Sequence, residues 1–167
     1  QECYLEVSGR RIQGLPFFDG GFTSREGVSG NIGAVGSGAT IGLGQVGRAS
    51  GPLGAEPNME FQENRGSSNY LGLVAVASGE SPGLMASNAP HFREPFGPPV
   101  LQVSSEEGEW LTRQAQSYSP AHLVVSAQRL DSESFNVTGR VSGTDQDALP
   151  LLVMTPRSGW WHCASER

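Results

Sequence analysis

The sequence predicts an α+β domain of mostly short strands with one or two helices. Three observations lead there. Glycine (23) and proline (11) make up about a fifth of the 167 residues; both penalise helix interiors and both serve turns. Hydrophobic residues reach only 37% and fall in short runs bounded by Gly, Pro, Asn, Asp and Ser, which is the pattern of strands. The strongest helical spacing runs from Ser104 to Tyr118 and is stopped by Pro120. The length suits one domain rather than two.

Taken in order, Tyr4-Leu5-Glu6-Val7 begins an apolar/polar alternation and Ser8-Gly9 turns the chain towards Arg11-Ile12. Gly14 to Gly21 is apolar in its middle and ends in Asp-Gly-Gly turn chemistry. Gly30 to Val35 and Thr40 to Val46 read as two strands, joined at Ser37-Gly38 as a hairpin; their small residues fit close backbone approach. Ala49 to Pro57 is a loop, and Asn58 to Ser67 holds one or two helical turns started by Pro57. Leu71 to Ala77, continuously apolar and short, reads as a strand buried on both faces. Ser78 to Pro99 is a long loop with five prolines, and Val100 to Val103 is the next strand. Ser104 as N-cap with Glu107 three residues on makes a capping box, ahead of a stripe of Trp110, Leu111, Gln114, Ala115 and Tyr118. Further strands are expected at Leu123–Val125, at Phe135–Val141 and at Leu151–Met154.

Charge narrows the function. All eleven basic residues are arginine, against 17 acidic residues and a net charge of −6. No basic stripe meets a phosphate backbone, so nucleic acid is excluded as a partner. No run approaches the roughly 18 apolar residues of a membrane-spanning helix, so no transmembrane segment is expected. The chain opens on Gln1 without a signal-like region and reads as a mature or excised piece of something longer. Its two cysteines, Cys3 and Cys163, sit near opposite ends. The plain reading is two thiols; a Cys3–Cys163 disulfide requires the ends of the domain to meet.

A buried strand, a loop, then Pro98-Pro99-Val100-Leu101-Gln102-Val103-Ser104-Ser105-Glu106-Glu107-Gly108 leading into Trp110-Leu111 resembles the protease-associated (PA) domain. Phe135-Asn136-Val137-Thr138-Gly139 is similar to the exit segment where a PA domain is inserted into M28-type zinc aminopeptidases. The resemblance covers residues 27–154. It implies a swivelling β/β/α fold over residues 1–148, with 27–148 matching best, and the start of a truncated peptidase-like domain at 149–167. It also implies a non-catalytic accessory role in substrate access or interaction beside a metallo-aminopeptidase-like hydrolase. The partners so implied are the remainder of a peptidase-like chain and a peptide substrate, and an extracytoplasmic location is implied too. Thr155-Pro156-Arg157-Ser158 stands where those peptidases carry a His-x-Asp pair of zinc ligands. No zinc ligand therefore carries over to this chain: the resemblance implies zinc in the parent protein alone, the alternative being a relative that has lost its metal chemistry or a divergent branch with another use for the fold.

Other candidates for chemistry have plainer readings. His162, Cys163 and Glu166 are the tightest cluster of potential ligands, but adjacent His and Cys do not readily face one ion, and a solvated tail explains them. Gly33 to Gly38 lacks the helix that a phosphate loop needs directly after its glycines. Ser158 with His162 lacks a Gly-x-Ser-x-Gly elbow. Glu106, Glu107 and Glu109 at a helix start read as dipole complements. An independent small hydrolase built from Ser158, His162 or Cys163, and an interaction domain unrelated to peptidases, are the alternatives to the accessory module. The favoured binding surface is the proline-framed loop Asn88–Pro99, with His91, Phe92, Arg93 and Phe96, since arginine and aromatics anchor interfaces. Equally, its phenylalanines serve to tuck the loop onto its own core. Asn136-Val137-Thr138 fits a glycosylation sequon, but its expected place inside a strand argues against modification.

Overall fold

Residues 2–47, 59–67, 69–78, 83–84, 91, 93–131, 133, 135–144 and 149–154 are described by the computed structural model. Two units divide the chain, Gln1–Gln128 and Arg129–Arg167. The first is a small α+β domain, in which eight strands form one mixed sheet accompanied by two helices.

The first hairpin follows from its turn. β1 (Glu2–Val7) and β2 (Arg10–Gln13) pair antiparallel with Val7 opposite Arg10. Ser8 and Gly9 both hold positive φ, 49° and 75°, the two-residue geometry that matches strand twist. β3 (Leu15–Pro16) follows after one residue but pairs with β7 (Val100–Val103). Pro16 sits at this edge, where its missing N–H breaks no ladder. β4 (Val28–Ala34) pairs antiparallel with β8 (Pro120–Ser126) and parallel with β5 (Ile41–Gly47). β6 (Gly72–Ser78) lies parallel between β5 and β7, six of its seven residues buried, as the uninterrupted apolar run requires. The order is β2-β1-β8-β4-β5-β6-β7-β3. Its two ends, β2 and β3, are consecutive in the chain, so the strand order returns on itself at Gly14. The Gly14 N–H donates to the Cys3 carbonyl at 3.1 Å.

The main core lies on one face of the strands, with Leu5, Val7, Ile32, Ile41, Val74, Leu101 and Leu123 closed by α2 (Gly108–Gln116). Leu111 and Ala115 are the buried residues of that helix. Burying a leucine is worth about 1.5–3 kcal/mol, whereas an exposed i,i+4 pair such as Glu109–Arg113 is worth about 0.3–0.5 kcal/mol. Packing holds α2 in place. A second cluster on the other face joins Phe17, Val46, Phe61, Tyr70, Leu73, Ala75 and Val100 under α1 (Met59–Gly66).

Three expectations are corrected. The segments around Ile32 and Ile41 are neighbours but parallel, not a hairpin. Gly36 and Gly38, with φ of 83° and 79°, loop the chain back over buried Ala39 so that β5 starts beside the end of β4. The capping box does not form: the Ser104 hydroxyl accepts from the Glu106 N–H and caps a 3-10 turn over Ser105–Glu107. Glu107 instead forms an ion pair with Arg10 on β2. Finally, residues 135–141 and 151–154 carry no strand. Their apolar side chains are exposed, among them Phe135, Val137, Val141 and Leu151 to Met154. A strand needs a hydrogen-bonded neighbour, and the eight paired strands all lie before Gln128.

At Gly14 a Cβ would stand 2.3 Å from the Gln102 carbonyl oxygen. Gly14→Ala is expected to cost about 1–3 kcal/mol in urea denaturation. Gly66→Ala, at an exposed helix end with open space around the new Cβ, is expected to be neutral or to stabilise by up to about 1 kcal/mol.

Candidate functional site

The most strongly determined polar feature lies where three separate segments meet. The chain leaves β3 with the Phe17 N–H bonded to the Val100 carbonyl and the Gly20 N–H to the Phe17 carbonyl. This turn directs Asp19 inward until it is 0% exposed. α1 presents Phe61 and Arg65 four residues apart on one face, and Arg65 is also 0% exposed. The Arg65 Nη2 meets Asp19 Oδ1 at 2.7 Å. Burying either charge alone is expensive, and opposite charge with hydrogen bonds offsets that cost.

The third segment is the loop leading to β7. The Phe96 N–H donates to the Asp19 carbonyl at 3.0 Å, and the His91 N–H reaches Asp19 Oδ2 at 3.4 Å. Arg65 Nη2 donates to the Phe96 carbonyl at 3.4 Å. The guanidinium lies 4.2 Å from the Phe96 ring centroid and 5.3 Å from that of Phe17, within cation–π range. Gly97 has φ 72°, and a Cβ there would stand 2.6 Å from the Arg65 carbonyl oxygen.

The four residues expected to bind are placed as follows. Phe96 is half-buried against Arg65, whereas His91 and Arg93 are exposed. The His91 ring meets Phe96 edge-on at 5.2 Å and 82°, and its carbonyl accepts from the Glu94 N–H at 2.9 Å. Phe92 lies outside the described residues, as do Ser158, Trp160, Trp161, His162, Cys163 and Glu166. Cys3 is buried on β1 opposite Val125; the proposed Cys3–Cys163 pairing involves a residue that is not described. The sequon Asn136-Val137-Thr138 is exposed and outside any strand, so the ground for discounting its modification is removed.

Sequence reasoning missed Asp19 and Arg65, the first read as turn chemistry and the second as part of a polar segment. The Phe61/Arg65 spacing was the available signal. It also missed a polar row across the sheet. Glu6 on β1, His122 on β8 and Ser29 on β4 are direct cross-strand neighbours. The Ser29 hydroxyl and His122 Nδ1 are 2.8 Å apart, and Arg11 Nε donates to Glu6 at 2.7 Å. That hydrogen bond raises the Arg11 pKa. An open depression of about 590 Å³ is lined by Glu2, Arg25, Ser126, Ala127 and Gln128.

The fold is similar to part of a zinc aminopeptidase. A structure of BSAP, a zinc aminopeptidase from Bacillus subtilis, aligns with a TM-score of 0.53 at 20% identity, over 75% of this chain and 30% of its own. A second, medium-resolution structure of BSAP aligns at 0.51 and 17% identity, over 75% and 31%. This chain therefore spans less than a third of the length of the aminopeptidase it matches. No protein-family model and no curated protein matches the sequence.

The described donors do not fit a zinc site. No three His, Cys, Asp or Glu side chains converge among the described residues. His91 lies against Phe96 and His122 against Ser29, on separate elements.

Arg65→Met would strand the Asp19 carboxylate in the core. The expected loss is about 3–5 kcal/mol, read as a fall in the urea midpoint. A loss below about 1 kcal/mol would mean that the carboxylate is relieved by water.

Proposed function

We infer that this chain serves as a non-catalytic accessory module of a peptidase-like protein, with a PA-like swivelling β/β/α fold in residues 1–148. The observation that carries this reading is the alignment of 75% of the chain onto a minor part of a zinc aminopeptidase. A module that occupies a third of such an enzyme supplies shape and contact rather than the metal centre. Zinc, and the groups that activate water on it, belong to the remainder of the parent protein.

The exposed apolar residues support the same reading. Leu149 and Leu151 to Met154 are 78–93% exposed, and contiguous apolar surface of this kind marks a place where another surface docks. Residues 149–167 are proposed to begin the peptidase-like domain, with the rest of that domain as the partner. His91, Phe92, Arg93 and Phe96 are proposed to face a peptide substrate or the neighbouring domain. An extracytoplasmic setting is proposed on the same likeness. No described helix is long and apolar enough to cross a membrane.

Two outcomes test this. The 167-residue chain is expected to release no product from amino-acyl p-nitroanilides, with or without added zinc; zinc-dependent turnover would instead favour a small hydrolase in its own right. Replacing Leu151, Leu152 and Val153 together by serine is expected to lower fluorescent binding of a hydrophobic dye and leave the melting of the compact unit unchanged. Unchanged dye binding would contradict a docking role for this segment.

A further inference from the structure

The Asp19–Arg65 pair is unusual in what it leaves undone. Arg65 is fully buried, yet among the described residues only one of its hydrogen bonds is short, the 2.7 Å approach to Asp19. The donations to the Phe96 carbonyl and to Gln62 Oε1 are 3.4 and 3.5 Å long, and Arg65 Nε has no hydrogen-bond partner among the described residues. Buried ion pairs satisfied this incompletely add little net stability, because desolvation offsets the attraction. Buried polar groups retained at such a cost are best explained by what they position.

What this pair touches is consistent. Phe96 receives from the Arg65 side chain through its carbonyl and packs on the guanidinium through its ring, while its N–H donates to the main-chain carbonyl of Asp19, a bond that does not depend on the carboxylate. Asp19 Oδ2 takes the His91 N–H, and Gly97 closes on the Arg65 backbone. The directional contacts converge on residues 91 and 93–99. Apart from the bridge of Gly21 with Pro99, that segment has no regular secondary structure. His91, Arg93, Glu94, Pro95 and Gly97 are exposed and contribute little burial of their own.

We propose that the Asp19–Arg65 pair is a latch, which fixes where the 93–99 strap lies and thereby how His91 and Arg93 are presented, while adding little to the stability of the fold. The inference concerns the conformation of the chain and stands whether or not the accessory-module reading does. Either single substitution strands the opposite charge and unfolds the corner, so it cannot separate positioning from stability. Replacing both groups by apolar ones of similar size can.

In the double variant Asp19→Leu/Arg65→Met, the latch reading expects a thermal midpoint within about 3 °C of the parent chain. It also expects amide hydrogen exchange in the 93–99 peptide about tenfold faster, with the β6 peptide 72–78 unchanged. Phe96→Leu, which keeps both charges but removes the ring, is expected to speed exchange in the strap alone. Unchanged exchange at 93–99 in the folded double variant would overturn the proposal. So would a loss of midpoint in the double variant as large as that of Arg65→Met alone, since the pair would then be a stabiliser of the fold.

Discussion

One buried ion pair, Asp19 with Arg65, organises the corner of the domain from which the candidate surface projects. Neither charge has access to water, so each is tolerable only while the other is in place. That mutual dependence joins a turn after β3, the last turn of α1 and the loop before β7, segments that are distant in sequence. Two aromatic rings complete the arrangement. Phe17 and Phe96 both lie within cation–π range of the guanidinium, and Phe17 also packs against Phe61 at 6.1 Å, so the charged centre is seated in the second core cluster.

The sheet makes the meeting geometrically available. Because the strand order returns on itself at Gly14, the chain emerges from β3 directly beside β7, and Asp19 follows within three residues. α1 reaches the same place from the other direction, laid over the outer face of β5. A glycine at position 44 makes room for it: a Cβ there would stand 2.5 Å from the Phe61 ring. Fold and site therefore share their determinants. The residues that turn the chain from β2 into β3 and let α1 settle are those that bring Arg65 to Asp19, and the exposed segment with His91 and Arg93 is carried on this frame.

Much of the architecture was legible in the sequence because it depends on local pattern. The apolar run of β6 and the Ser8-Gly9 turn act within a few residues and appear where expected, while α2 buries Leu111 and Ala115 of its stripe and ends at Gln116, leaving Tyr118 exposed beyond it. What was not legible depends on pairing across the chain. Parallel and antiparallel neighbours share the same alternation, so Ile32 and Ile41 could not reveal their relative direction. Asp19 and Arg65 lie 46 residues apart, and Ser29 and His122 lie 93 apart; nothing local marks either pair. Phe135–Val141 alternates as a strand does, but alternation supplies only half of what a strand needs. The proline-framed segment was visible in the sequence, while the pair that holds it was not.

The proposed function uses the same logic of incomplete surfaces: a domain aligned to part of an aminopeptidase is followed by apolar side chains that stand exposed among the described residues. Its central physical claim is the coupling of Asp19 to Arg65. A double-mutant cycle with Asp19→Ala, Arg65→Ala and both, followed by urea denaturation, measures that coupling directly. The account predicts that the two losses fall short of additivity by about 3–5 kcal/mol, the cost of one stranded buried charge. Losses that add to within about 0.5 kcal/mol would show two independent residues and contradict it.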